Sequence, residues 1–164
     1  MSSQRPLWAP WRIDFIKGEK ENRCFLCDNI DPDESSPEEA IIIHRGTTCF
    51  VIMNRFPYNS GHLMIAPYRH IGDLSDLTEE ERKEMMDLCV KSKEALQSAM
   101  SPEAYNAGFN LGAAAGAGIA DHLHMHMVPR WRGDTNFMPV ISDTRCVPEA
   151  IEATAKLLRD HWSK

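Results

Sequence analysis

The chain has 164 residues, 43% hydrophobic and 26% charged, with a formal net charge of −6, which suits one domain (1–164, with residues 1–23 as an N-terminal extension) large enough to bury a core. The acidic balance excludes a broad surface for duplex nucleic acid, and the longest apolar runs fall far short of a membrane span. Five cysteines in a chain this long are not a disulfide scaffold, and no basic start precedes an apolar run, so a reducing, cytoplasmic compartment is expected.

Residues 1–17 place Trp8 and Trp11 on either side of Ala9-Pro10, too apolar for a free tail. They are expected to anchor across the domain or a partner subunit. Cys24-Phe25-Leu26-Cys27 follows. A CxxC is a redox pair, half a metal site or coincidence. The acidic, proline-broken stretch 28–37 is not the strand–CxxC–helix context of a redox pair, and a zinc half-site would need two more ligands.

Residues 40–44 are a short apolar run, and Arg45-Gly46 makes a turn. Residues 48–54 (TCFVIMN) read as a buried strand from their β-branched and aromatic content. Residues 55–61 carry strong turn formers, and 62–66 (HLMIA) form another strand. It runs into Pro67-Tyr68-Arg69-His70, where His70 is a candidate third metal ligand. The clearest helix is 78–100: Thr78 and Glu81 make a capping box, and Met85, Leu88, Cys89, Ala95, Leu96 and Met100 recur at helical spacing. Residues 105–112 read as a fourth strand. The small-residue loop 113–121 matches neither named phosphate loop, yet lets phosphates approach backbone N–H groups. Residues 148–162 read as an amphipathic terminal helix.

Between them lies His122-Leu123-His124-Met125-His126-Met127-Val128-Pro129-Arg130. Period-two alternation predicts a half-buried strand with three imidazoles on one face, neighbours roughly 6.5 Å apart, and Pro129 ending the pattern. Three imidazoles are costly in a core, so this face is a candidate site, either for metal or for nucleophilic and acid–base chemistry.

His-x-His-x-His followed by two hydrophobic residues resembles the histidine triad family of nucleotide hydrolases and transferases. The resemblance extends from Asn54 to His70, through the 78–100 helix and Asn110, and covers roughly residues 24–132. The opening LWAPWR and the closing HLHMHMVPRWRGDTNF look more like the branch with bacterial diadenosine tetraphosphate phosphorylases. It implies an α+β fold: an antiparallel sheet of about five strands with a central helix and a C-terminal helix, often dimeric. It also implies a nucleotidyl-histidine intermediate on His124, with His126 contacting phosphate and assisting the leaving group. Asn110 and the backbone at Ala117, Gly118 and Ile119 would hold phosphate oxygens, and Asn54 the ribose. His62 would orient rather than react, and Phe25, Leu26 and Ile52 would flank the base or fill the core. One branch carries structural zinc; here its ligands would be Cys24, Cys27, His70 and His122.

The leading expectation is a phosphorylase or hydrolase of dinucleoside polyphosphates. Alternatives are an adenosine phosphoramidate hydrolase, a transferase to another acceptor for which Arg69, Arg130 and Arg132 could select phosphate, and a non-catalytic zinc-stabilised nucleotide-binding module. A single-stranded nucleic-acid binder using Trp8, Trp11 and Trp131 is disfavoured by the charge.

Overall fold

The computed structural model describes residues 24–30, 41–115, 119–134 and 150–162. Among these, five strands form one antiparallel sheet: β1 (Ile42–Arg45), β2 (Cys49–Met53), β3 (Leu63–Pro67), β4 (Ala104–Phe109) and β5 (Met125–Arg130), in the order β1-β2-β3-β5-β4. Three helices accompany it: the single turn α1 (Phe25–Asp28), the long α2 (Glu79–Met100) and α3 (Ile151–Asp160). The α+β expectation holds, with five strands, a central helix and a C-terminal helix.

The strands β2 and β3 are apolar along their whole length and buried along their whole length. Both faces must therefore be covered. One is covered by α2, which packs on β2, β3 and β5, while α3 packs on β1 and against α2. Phe50, Ile52, Leu63, Ile65, Leu96 and Leu158 are fully enclosed at the centre.

The capping box is present: Thr78 Oγ1 accepts from the Glu81 N–H at 3.2 Å, and the Glu81 carboxylate accepts from the Thr78 N–H at 2.8 Å. The same carboxylate takes a two-pronged bond from Arg69, at 2.7 and 2.6 Å. One turn on, Glu84 accepts the N–H groups of Thr47 and Cys49 at 2.7 and 3.0 Å, tying the β1–β2 turn to the helix. Gly46 permits that approach, since a Cβ there would lie 2.6 Å from Glu84 Oε1.

The histidine strand differs from its expected form. It begins at Met125, so His122 and His124 precede the ladder, and it continues through Pro129 to Arg130. Pro129 is tolerated because β3 pairs only with Met125, His126 and Met127, while β4 pairs with the whole strand. A proline whose missing N–H faces an unpaired side breaks no ladder bond. The fourth strand is Ala104–Phe109 rather than 105–112, and the last helix is shorter than 148–162. The readings of Trp8 and Trp11 and of the 31–40 loop fall outside the described residues.

Candidate active site and metal centre

The strand β3 begins just after His62, and its antiparallel pairing with β5 sets Met64 opposite His126. This brings His62 against His126: His62 Nε2 and His126 Nδ1 are 2.9 Å apart. A backbone amide settles which nitrogen holds the proton. The Tyr58 N–H can only donate, and it donates to His62 Nδ1 at 3.0 Å. His62 is buried and carries its proton on Nε2, so it donates to His126 Nδ1. Neutral His126 therefore carries its proton on Nε2. That nitrogen faces Asn110, with Nδ2 at 3.4 Å.

His124 is fixed in the opposite sense. Its Nδ1 donates to the His122 carbonyl at 2.8 Å, which leaves an unprotonated Nε2. The His124 and His126 rings meet edge to face with centroids 4.8 Å apart. Both side chains are less than a tenth exposed. Burial lowers the His124 pKa, against a smaller opposing effect of its carbonyl bond. Burial, and then the positive charge of protonated His124, push His126 down to about 4. At neutral pH both imidazoles are neutral, one with a bare Nε2 and the other with a protonated one.

His122 points elsewhere, contrary to a single face of three imidazoles. Leaving the ladder at Met125 frees residue 122 to turn, and its ring meets His70 edge to face at 5.1 Å. Its Nε2 donates to the Pro67 carbonyl at 2.9 Å, leaving the Nδ1 lone pair aimed at Cys24 and Cys27, with Sγ atoms at 3.3 and 3.4 Å. His70 Nδ1 lies 3.1 Å from Cys27 Sγ. The four donor atoms lie within 4.8 Å of one another. Zinc–sulfur and zinc–nitrogen bonds of about 2.3 and 2.0 Å at tetrahedral angles imply sulfur–nitrogen edges of about 3.5 Å, so the donor set fits a closed zinc site. Burial and the neighbouring Cys24 thiol push the Cys27 thiol up to about 11, and a divalent cation bound there would favour its thiolate. His122 joins the two centres, offering Nδ1 to the cysteines and its carbonyl to His124.

Other expected residues are placed less simply. Asn54 Oδ1 accepts the Phe56 N–H at 2.8 Å and its Nδ2 lies 3.3 Å from His62 Nδ1, so it sits beside the imidazole pair. Leu26 and Ile52 are fully buried core residues, while Phe25 is half-buried under the Arg55 guanidinium, 5.2 Å away. Ile119 packs against the core; Ala117 and Gly118 lie outside the described residues. The arginines weighed as acceptor selectors are held by carboxylates: Arg69 by Glu81, Arg130 by Asp134 at 2.6 and 2.9 Å, and Arg132 by Glu103 at 3.4 Å. No sequence pattern singles out Tyr58, which stands four residues before His62 and whose ring packs 4.6 Å from it.

Comparison with known proteins shows the family. The HIT domain profile matches residues 36–133. The chain belongs to the HIT family. An "AP-4-A phosphorylase" of Mycobacterium tuberculosis (strain H37Rv) is 34% identical over 171 residues, which is 96% of this HIT chain and 84% of that protein. The "Bis(5'-nucleosyl)-tetraphosphatase [asymmetrical]" of Schizosaccharomyces pombe is 28% identical over 98 residues, covering 60% of this chain and 53% of that one. Among solved structures, a "ZN-bound histidine triad family protein" from Mycobacterium smegmatis superposes with a TM-score of 0.66 at 26% identity, covering 86% and 94% of the two chains.

Proposed function

We propose that this HIT protein cleaves dinucleoside polyphosphates at the α-phosphorus through a nucleotidyl-His124 intermediate, with inorganic phosphate as the acceptor. The observation that carries this reading is the pair of opposed tautomers: His124 presents a lone pair at Nε2 while His126 presents a proton at Nε2. In the first step His124 Nε2 attacks phosphorus, a P–N bond forms, and the P–O bond to the departing polyphosphate breaks. The His126 Nε2–H donates a hydrogen bond to the charge that develops there. In the second step an acceptor oxygen displaces His124 with the geometry reversed.

The electrostatics favour a polyphosphate leaving group. A polyphosphate leaves as a stabilised anion and needs a hydrogen bond, which neutral His126 supplies. An amine leaving group needs a whole proton, and a histidine with a pKa of about 4 holds none to spare at neutral pH. The names of the M. tuberculosis and S. pombe relatives support the same substrate class. We assign phosphate oxygens to Asn110, to His126 and to the backbone at Ala117, Gly118 and Ile119, and the ribose to Asn54.

Cys24, Cys27, His70 and His122 would hold zinc as a closed structural site. Bound there, it cross-links the N-terminal knuckle to the catalytic segment and acts on no substrate atom. The chain is expected to dimerise through β4, an edge strand with Ala104, Asn106 and Ala107 exposed, and through the adjacent face of α2, where Met86 and Val90 are about half exposed. Among the described residues no helix is long and apolar enough to cross a membrane. Among the described residues Cys24, Cys27, Cys49 and Cys89 form no disulfide, which suits a reducing compartment.

The test is product analysis by chromatography with diadenosine tetraphosphate, with and without inorganic phosphate, for the parent and for His124→Ala. ADP plus ATP, formed only with phosphate and reduced at least about a thousandfold in the variant, is the expected result. AMP plus ATP without phosphate would make it a hydrolase. A variant that keeps a tenth of the parent rate would remove His124 as nucleophile. Absence of products from the parent would move the reading to phosphoramidates or to a binding module.

A further inference from the structure

The tautomer of His62 depends on one backbone amide, that of Tyr58, so whatever seats the loop between β2 and β3 bears on the imidazole pair. The loop closes on itself: the Asn54 N–H donates to the His62 carbonyl at 2.9 Å, and the His62 N–H donates to the Asn59 carbonyl at 3.2 Å. The Asn59 side chain then ties the loop to the far end of β5. Its Nδ2 donates to the Pro129 carbonyl at 3.1 Å and to Asp134 Oδ2 at 2.9 Å. A carbonyl and a carboxylate only accept, so turning this amide would set its oxygen against two others. Asp134 is held in turn by Arg130, at 2.6 and 2.9 Å, and by the Trp131 N–H at 3.0 Å, and its side chain is 9% exposed. The pairing of β3 with β5 stops at Met127, and Asn59 reaches past it to Pro129. Gly61, at φ 76°, lets the loop pass there, since a Cβ would lie 2.9 Å from Met100 Sδ and 3.2 Å from Pro129 Cγ.

We propose that Asn59 is a positioning residue for the imidazole pair, an inference that rests on the nucleotide reading for its catalytic meaning. Anchored on Asp134 and on the Pro129 carbonyl, Asn59 seats the loop so that the Tyr58 amide keeps the His62 proton on Nε2, and thereby the His126 proton on Nε2 as well. Withdrawing the amide removes the donor that occupies His62 Nδ1. A proton on His62 Nδ1 would leave its Nε2 bare, ready to accept from His126 Nδ1–H. The proton count of the pair is then unchanged, but His126 Nε2 turns from a donor into a lone pair. The side chain of Asn59 bonds to Pro129 and Asp134 and acts on the site through the loop.

The substitution Asn59→Ala removes the anchor and leaves Asp134 with Arg130 and Trp131. The experiment compares the full-length parent and variant by nitrogen NMR of the imidazoles, which distinguishes a protonated ring nitrogen from a bare one, together with thermal unfolding and kcat and KM for diadenosine tetraphosphate with inorganic phosphate. A hydrogen bond onto a charged acceptor is worth about tenfold or more in an equilibrium. Asn59→Ala is expected to bring out the Nδ1–H form of His62 and His126 and to lower kcat about tenfold, with KM within about twofold of the parent. A lower melting temperature with the parent's tautomers and kcat would make Asn59 merely structural and overturn the proposal. A lower kcat with the parent's tautomers overturns it too. Should Asn59→Ala not fold, Asn59→Ser, too short to reach both acceptors, gives the second reading against the same outcomes. A parent that turns over no dinucleotide overturns the nucleotide reading alone, because the tautomer comparison still decides whether Asn59 positions the pair.

Discussion

Acid should weaken this fold through His126 in particular. The side chain is 8% exposed, and its pKa falls from 6.5 to about 4, first because burial disfavours the imidazolium and then because protonated His124 would repel it. In the unfolded chain the same imidazole takes up a proton as the pH drops through 6.5. Between pH 6.5 and about 4 the unfolded state therefore holds a proton that the native state refuses. The native state is favoured by its full margin above pH 6.5 and loses that margin as the pH falls across the window. At about 1.4 kcal/mol per pH unit, the loss attributable to His126 is about 3 kcal/mol. The assay is urea unfolding of the parent and of His126→Gln at pH 7, 6, 5 and 4. Carboxylates such as Glu81 and Glu84, held below their usual range by hydrogen bonds, contribute the same slope to both proteins, so the comparison isolates one imidazole. The parent should lose about 3 kcal/mol more than the variant between pH 7 and pH 4. Curves that run parallel within about 0.5 kcal/mol, or an NMR titration placing His126 above pH 6, would refute the reasoning.

Two further outcomes are expected. Cys24→Ser should lose bound zinc, measured by atomic absorption, and should lower the melting temperature, because the energy of a structural site is coupled to folding; full zinc occupancy in the variant would reject the ligand set. A charge inserted on the β4 edge by Ala107→Glu should convert a dimer to a monomer in analytical ultracentrifugation, and an unchanged sedimentation profile would exclude that edge as the interface.

Much of this protein is legible from its sequence, because local patterns answer to local physics. The run TCFVIMN can only satisfy its apolar side chains inside a sheet, and Thr78 with Glu81 announces a helix start wherever that helix packs. The alternation of three histidines marks a candidate site, and the CxxC is open at that level to a redox pair, half a metal site or coincidence. What alternation could not reveal is that the three imidazoles point into two separate clusters. A strand pattern carries no record of where the ladder begins. The pairing of β5 with β3 and β4 starts at Met125, and that releases His122 toward Cys24 and Cys27. Nor does sequence assign protons. The tautomers of His62 and His126 follow from a backbone amide 4 residues from one and 68 from the other, and the tautomer of His124 from a carbonyl two residues before it. Arginines that read as anion binders prove to be held by Glu81, Asp134 and Glu103, partners set by tertiary packing. Composition and periodicity determined the elements, the core and which histidines are candidates for a site. Only the tertiary structure decided their direction and protonation, since these depend on groups that the folded chain alone brings within hydrogen-bond reach.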